Sequence, residues 1–182
     1  MTIQMTQTYG GTTDADLTAF EDELGGRLSD DYRSFLLSTN GGEPQQYNRL
    51  AGRPAAAPAV SVRWFFGLQT RDEYDLGAVR RTMAGRLPDE LLPIGTDSGG
   101  NLFCLDWQTG GEGGAVFYWD RDRDADDDEQ PTWDGAERLA HSFGDFLARL
   151  EPAPEEISNA PGQTEGNAGW VDPEFLDEIE RQ

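Results

Sequence analysis

His141 and Cys104 are the single histidine and the single cysteine of a 182-residue chain, so imidazole and thiolate chemistry have one candidate each. A catalytic base needs a nucleophile or an orienting carboxylate within reach. Asp145, four residues on, is the carboxylate at helical spacing from His141. His141 also falls two positions after Leu139, about 200° around a helix from the apolar stripe that Leu139 belongs to. It therefore reads as a solvated surface residue. Cys104 shares the face of Leu102 in the run Leu102-Phe103-Cys104-Leu105, with no motif around it, and reads as a small core residue. One cysteine excludes an internal disulfide and a multi-thiolate metal site.

Two further stretches invite chemistry. In 91–106, LLPIGTDSGGNLFCLD, apolar runs flank Thr96-Asp97-Ser98-Gly99-Gly100-Asn101. A phosphate loop needs such glycines to lead into a helix N-terminus. Here they lead into a strand-like run, and the chain has no lysine to reach a phosphate, so the glycines serve a hairpin turn. The second stretch is Asp120, Arg121, Asp122, Arg123, Asp124, Ala125, Asp126, Asp127, Asp128 and Glu129. An EF-hand loop wants glycine at position 6 and glutamate at position 12. Counted from Asp120 those positions hold Ala125 and Pro131; counted from Asp122 they hold Asp127 and Trp133. Neither register binds calcium in that way, and no metal or other cofactor is expected. The remaining readings are a solvated loop kept for solubility, a recognition surface made of Asp120, Asp122, Asp124, Asp126, Asp127, Asp128 and Glu129, and, last in order, loose cation binding. No pair of carboxylates is singled out for hydrolase chemistry, and no catalytic residue is assigned.

The formal charge of −21 is clustered. Residues 120–129 carry a net −5 and residues 151–182 a net −8, whereas 41–90 come to +1. This field repels nucleic acid and anionic membranes, and it steers a basic partner inward. No window reaches the ~18 apolar residues of a membrane span, and the first residues show neither the basic nor the apolar part of a secretory signal. A cytoplasmic protein is the expectation.

The elements that must position these residues follow from periodicity. Residues 1–11 are a polar lead-in. Thr13 caps a helix with Leu17, Phe20 and Leu24 on one stripe, ended by Gly25-Gly26. Ser29 opens a second helix that buries Tyr32, Phe35, Leu36 and Thr39 and stops at Asn40-Gly41-Gly42. Gln45 to Leu50 can add a short edge strand before a connection reaching residue 59. Val60, Val62, Trp64 and Phe66 alternate as in a half-buried strand. Residues 72–84 form a helix, 91–96 and 102–107 a hairpin, and 115–119 a further strand. Pro131-Thr132-Trp133 reads as a last short strand. Asp134, with Glu137 three residues on, then caps a closing helix with Leu139, Phe143, Phe146, Leu147 and Leu150 as its stripe. The sum is an α+β domain over 12–150: a mainly antiparallel sheet of four to six strands, an N-terminal helical hairpin, one helix between strands and a C-terminal helix. Residues 151–182 form an acidic linker and a short amphipathic helix. Asp172-Pro173 start that helix and Phe175, Leu176 and Ile179 form its apolar side.

The order of these pieces resembles the SUKH superfamily, immunity proteins related to the fungal Smi/Knr cell-wall regulators. The matching stretches are the first helix, LSDDYRSFLLSTNGG at 28–42, VRWFFGL at 62–68, the 91–106 hairpin, GAVFYWD at 114–120 and LAHSFGDFLARL at 139–150. The resemblance implies a single α+β domain without enzymatic activity that binds and neutralises a cognate protein toxin, often a nuclease or deaminase. The alternative it leaves open is a regulatory scaffold of the fungal type that recruits protein partners. A basic residue commonly follows the WD step in this family, and Arg121 stands there. The resemblance carries over no fixed catalytic residues, and the extended acidic run and the tail go beyond it.

Overall fold

The computed structural model describes residues 4–45, 48–52, 59–108, 114–124 and 130–152. Thr13 caps helix α1 (Asp14–Leu24): its hydroxyl accepts from the Asp16 amide at 3.1 Å while the Asp16 carboxylate accepts from the Thr13 amide at 3.1 Å. Gly25 ends the helix in the left-handed region, at φ 80°. Helix α2 (Asp30–Thr39) follows, and Asn40 stops it at φ 51°. The two helices are tied by buried Arg33, whose guanidinium donates to Glu21 and Asp14. These hydrogen bonds, the one to Glu21 first, raise the Arg33 pKa further.

Asn40 then acts as a surrogate backbone group. Its amide donates to the Leu68 carbonyl at 2.9 Å and its oxygen accepts from the Leu68 amide at 2.8 Å, fixing the end of α2 to the segment that follows β4. Gly67 makes that approach feasible, since a Cβ there would lie 2.1 Å from the Asn40 carbonyl oxygen.

Strands β4 (Trp64–Phe65), β5 (Leu91–Thr96), β6 (Leu102–Asp106), β7 (Val116–Trp119) and β8 (Ala136–Ala140) form one five-stranded sheet, antiparallel throughout and ordered as in the sequence. Helix α3 (Leu76–Met83) lies between β4 and β5 in sequence, capped by Asp75, whose carboxylate accepts from the Ala78 amide at 2.9 Å. Helix α4 (Phe143–Arg149) closes the core, where Phe35, Phe65, Phe143 and Phe146 meet edge to face and tilted. Outside this sheet, the polar lead-in supplies β1 (Met5–Gln7), paired with β2 (Glu43–Pro44), and β3 (Asn48–Leu50) pairs with β9 (Leu150–Pro152).

Four expectations are corrected. The closing helix does not start at Asp134. Residues Trp133–Gly135 form a 3₁₀ turn, Ala136–Ala140 are strand β8 on the open edge of β7, and Ser142 caps α4 by accepting from the Asp145 amide at 3.0 Å. Leu139 and the α4 residues share helical spacing only by coincidence, because the strand end and the helix each turn toward the same core. Pro131-Thr132-Trp133 is accordingly no strand. The strand expected over 60–66 is reduced to Trp64–Phe65. Val60 and Val62 are buried as the alternation requires, but their backbone partners are the Leu50 amide and the side chain of Asn48. The helix expected over 72–84 begins only at Leu76, preceded by a 3₁₀ turn at Asp72–Tyr74.

Candidate partner-binding surface

The turn between β5 and β6 is organised by one carboxylate. Asp97 Oδ1 accepts from the amides of Gly99 (2.8 Å) and Asn101 (2.9 Å), and Oδ2 accepts from Asn101 Nδ2 (3.0 Å) and the Tyr118 hydroxyl (2.7 Å). Gly100 completes the turn at φ 89°. Burial, then the bond to Asp97, raises the Tyr118 pKa, so the phenol stays a donor. The turn is thereby fastened to β7, and the fastening continues outward. The Arg121 amide donates to Asn101 Oδ1 at 3.2 Å, and the Trp119 indole donates to Asp124 Oδ1 at 2.7 Å. Arg121 Nε lies 3.4 Å from Asp124 Oδ2, and the Asp122 amide donates to Asp120 Oδ1 at 3.1 Å.

The start of the acidic run is therefore a built 3₁₀ turn (Arg121–Arg123) on the end of β7 and not the structureless chain that self-repulsion suggests. Of the sequence-derived recognition residues, Asp122 is exposed, Asp120 is half-buried and Asp124 has a side chain only 13% exposed. Asp126, Asp127, Asp128 and Glu129 lie outside the described residues. Asp124 is an anchor, which leaves the outward charge to its neighbours.

Beside this turn opens a cleft of about 270 Å³. Phe66, Tyr74, Val79, Met83 and Leu102 give it an apolar lining, and Asp72, Glu73 and Arg121 add charge. Tyr74 belongs to an aromatic cluster that the sequence reading missed. Tyr9 stacks with its ring and with that of Trp64 at centroid distances of 6.0 and 6.5 Å, and Arg63 lies 5.1 Å over Trp64. Desolvation pushes the Tyr9 phenol up to about 12, and its oxygen is buried without a hydrogen-bond partner.

Neither candidate for covalent or acid–base chemistry lies in this region as a poised group. His141 is exposed in the turn between β8 and α4, and the Asp145 carboxylate expected to orient it accepts from the His141 backbone amide at 3.4 Å. Cys104 is fully buried; burial, and secondarily the charge of Asp124, raise its pKa and keep it a thiol. Among the described residues no group of three or more His, Cys, Asp or Glu is placed to hold a metal ion, and no helix is long and apolar enough to cross a membrane.

The sequence model of the SMI1/KNR4 family (SUKH-1) matches residues 11–149, the whole span of helices and sheet up to the end of α4. The chain belongs to the SMI1/KNR4 family. Members of this SUKH-1 family are commonly immunity proteins. The chain is also 24% identical, over 159 residues, to the SPbeta prophage-derived uncharacterized protein YokK of Bacillus subtilis (strain 168), an alignment covering 79% of this chain and 77% of that protein. The hairpin knot at Asp97 and the capped turn after Trp119 both lie within the span matched to the SMI1/KNR4 family.

Proposed function

We propose that the protein is a non-enzymatic immunity protein that binds and neutralises a cognate toxin with a basic, nuclease-type surface, acting in the cytoplasm. The observation that carries this reading is the mounting of the acidic run. A charged loop serving only solubility needs no anchorage, yet this one starts from a turn held by Trp119–Asp124, Asn101–Arg121 and the Asp97 knot. Asp120 and Asp122, with the carboxylates of 126–129, then present spaced negative charge of the kind a phosphate-binding cleft accepts. The adjacent 270 Å³ cleft offers an apolar seat for a side chain of the same partner. The test is co-expression with the candidate toxin encoded beside the gene, scored by survival and co-purification. Rescue by the wild type, weakened when Asp120, Asp122, Asp126, Asp127 and Asp128 are all changed to Asn, supports the reading. Equal rescue by that variant removes the acidic run from it.

A further inference from the structure

Among the described residues two large hydrophobic side chains are exposed, Leu37 at 39% and Trp133 at 40%. A single exposed leucine on a helix is ordinary surface. Trp133 differs in its surroundings. It opens the Trp133–Gly135 turn that leads the chain into β8, and its ring meets that of Phe117 edge to face, with centroids 5.1 Å apart. That contact holds the indole in place while two-fifths of the residue stays open to solvent.

The register of the sheet sets this indole beside the acidic turn. Phe117 and Trp119 are two residues apart on β7, so their side chains stand on one face, roughly 7 Å from each other. Trp133 lies over Phe117, and the Arg121–Arg123 turn reaches Trp119, whose indole donates to Asp124. Trp133 and that turn are therefore neighbours on the same face. The carboxylates of Asp120 and Asp122 at the turn meet no arginine among the described residues. Arg121 is engaged by Asp124, and Arg138, opposite Phe117 in register, stands on the β8 side.

An exposed indole flanked by carboxylates is the complement of an arginine. Its planar, weakly hydrated guanidinium stacks on the ring and keeps its N–H edge for the carboxylates, whereas an ammonium is a strongly hydrated point charge. Tryptophan and arginine are also the residues that concentrate binding energy at protein interfaces. We propose that Trp133 is a specificity-determining contact for the basic partner, an arginine of that partner stacking on the indole while Asp120 and Asp122 take its charge. The inference rests on the toxin-binding reading above and adds which cation is selected. The acidic run draws any basic surface; Trp133 distinguishes arginine from lysine.

The experiment is fluorine NMR of the full chain carrying 5-fluorotryptophan, titrated at low salt with a short peptide of alternating arginine and glycine and with its lysine counterpart. The Trp133 resonance is assigned by its loss in Trp133→Leu, which keeps an apolar cover on Phe117. Of the five tryptophan signals, that of Trp133 moves furthest with the arginine peptide, and it moves less with the lysine peptide. Trp133→Leu binds the arginine peptide about five-fold or more weakly and the lysine peptide nearly as before, and Trp133→Phe, which keeps a ring face, recovers part of the loss. Asp120→Asn with Asp122→Asn weakens both peptides. A Trp133 signal that stays still, or equal responses to the two peptides, overturns the proposal. So does an arginine-peptide affinity unchanged in Trp133→Leu. Against the toxin encoded beside the gene, full rescue by Trp133→Leu with weakened rescue by the Asp→Asn variant overturns this inference and leaves the proposed function standing. Full rescue by both variants overturns this inference and removes the acidic run from that function as well.

Discussion

Asp97→Ala removes the acceptor of four hydrogen bonds at once, and the structure shows which of them matter. The amides of Gly99 and Asn101 and the Asn101 side chain belong to a turn at the surface, where water takes over most of what the carboxylate supplied. The Tyr118 hydroxyl, bonded at 2.7 Å and half-buried, loses a charged acceptor that water replaces less well. Bonds to charged groups contribute about 1.5–3 kcal/mol each, and the exposed ones recover most of that, so the net cost is about 2–3 kcal/mol. For a domain of this size that lowers the midpoint of thermal unfolding by roughly 6–9 °C. The same change releases Asn101, and with it the Arg121 amide, so the base of the acidic run loosens. Trypsin reads this directly, because its sites at Arg121 and Arg123 lie in that turn. Cleavage there should accelerate more than cleavage at Arg80 or Arg81 on α3. Thermal unfolding by circular dichroism together with site-resolved proteolysis tests both halves. A midpoint within 1 °C of wild type, or equal acceleration at all sites, refutes the argument.

Arg33→Ala strands the Glu21 carboxylate, whose side chain is 11% exposed, and should cost about 2–4 kcal/mol in urea unfolding; the lost contact to Asp14, 75% exposed, adds little. Tyr32→Phe deletes a fully buried hydroxyl with no partner and should stabilise the domain by about 1 kcal/mol in the same assay. Tyr9, raised from the ordinary 10 to about 12, contributes stability that is whole below pH 10 and is lost as pH rises to about 12; Tyr9→Phe should flatten the unfolding-versus-pH curve across that window. His141→Ala and Cys104→Ser should both leave biological activity intact, Cys104→Ser at a cost of about 1–2 kcal/mol from burying a hydroxyl in place of the thiol.

Local signals survived into the structure wherever the chain's own chemistry decided the outcome. Thr13 and Gly25 bound α1 because the groups they satisfy are a few residues away. The 91–106 hairpin closes on Asp97 and Gly100 for the same reason. Non-local pairing escaped notice. Ala136–Ala140 is a strand because β7 offers an unsatisfied edge, and nothing in AERLA announces that. The signal for the true start of α4 was present: Ser142 followed three residues later by Asp145 is a cap, and it competed with the better-looking Asp134 and Glu137. Asn40 read as part of a helix stop and Asn48 as part of an edge strand, and neither reading shows that each spends its side chain on a distant backbone segment. At the recognition surface the clustering of charge was plain. That Asp124 turns inward was readable only from Trp119, whose indole donor, once buried, requires a partner.

The central claim is that the carboxylates outside the Asp124 anchor steer a basic partner to this end of the sheet. The measurement closest to it is the association rate with the cognate toxin as a function of ionic strength, for the wild type and for the variant with Asp120, Asp122, Asp126, Asp127 and Asp128 changed to Asn. The account predicts a variant that associates about ten-fold or more slowly at low salt, with a flatter salt dependence and a nearly unchanged dissociation rate. An association rate and salt slope equal to those of the wild type would contradict it.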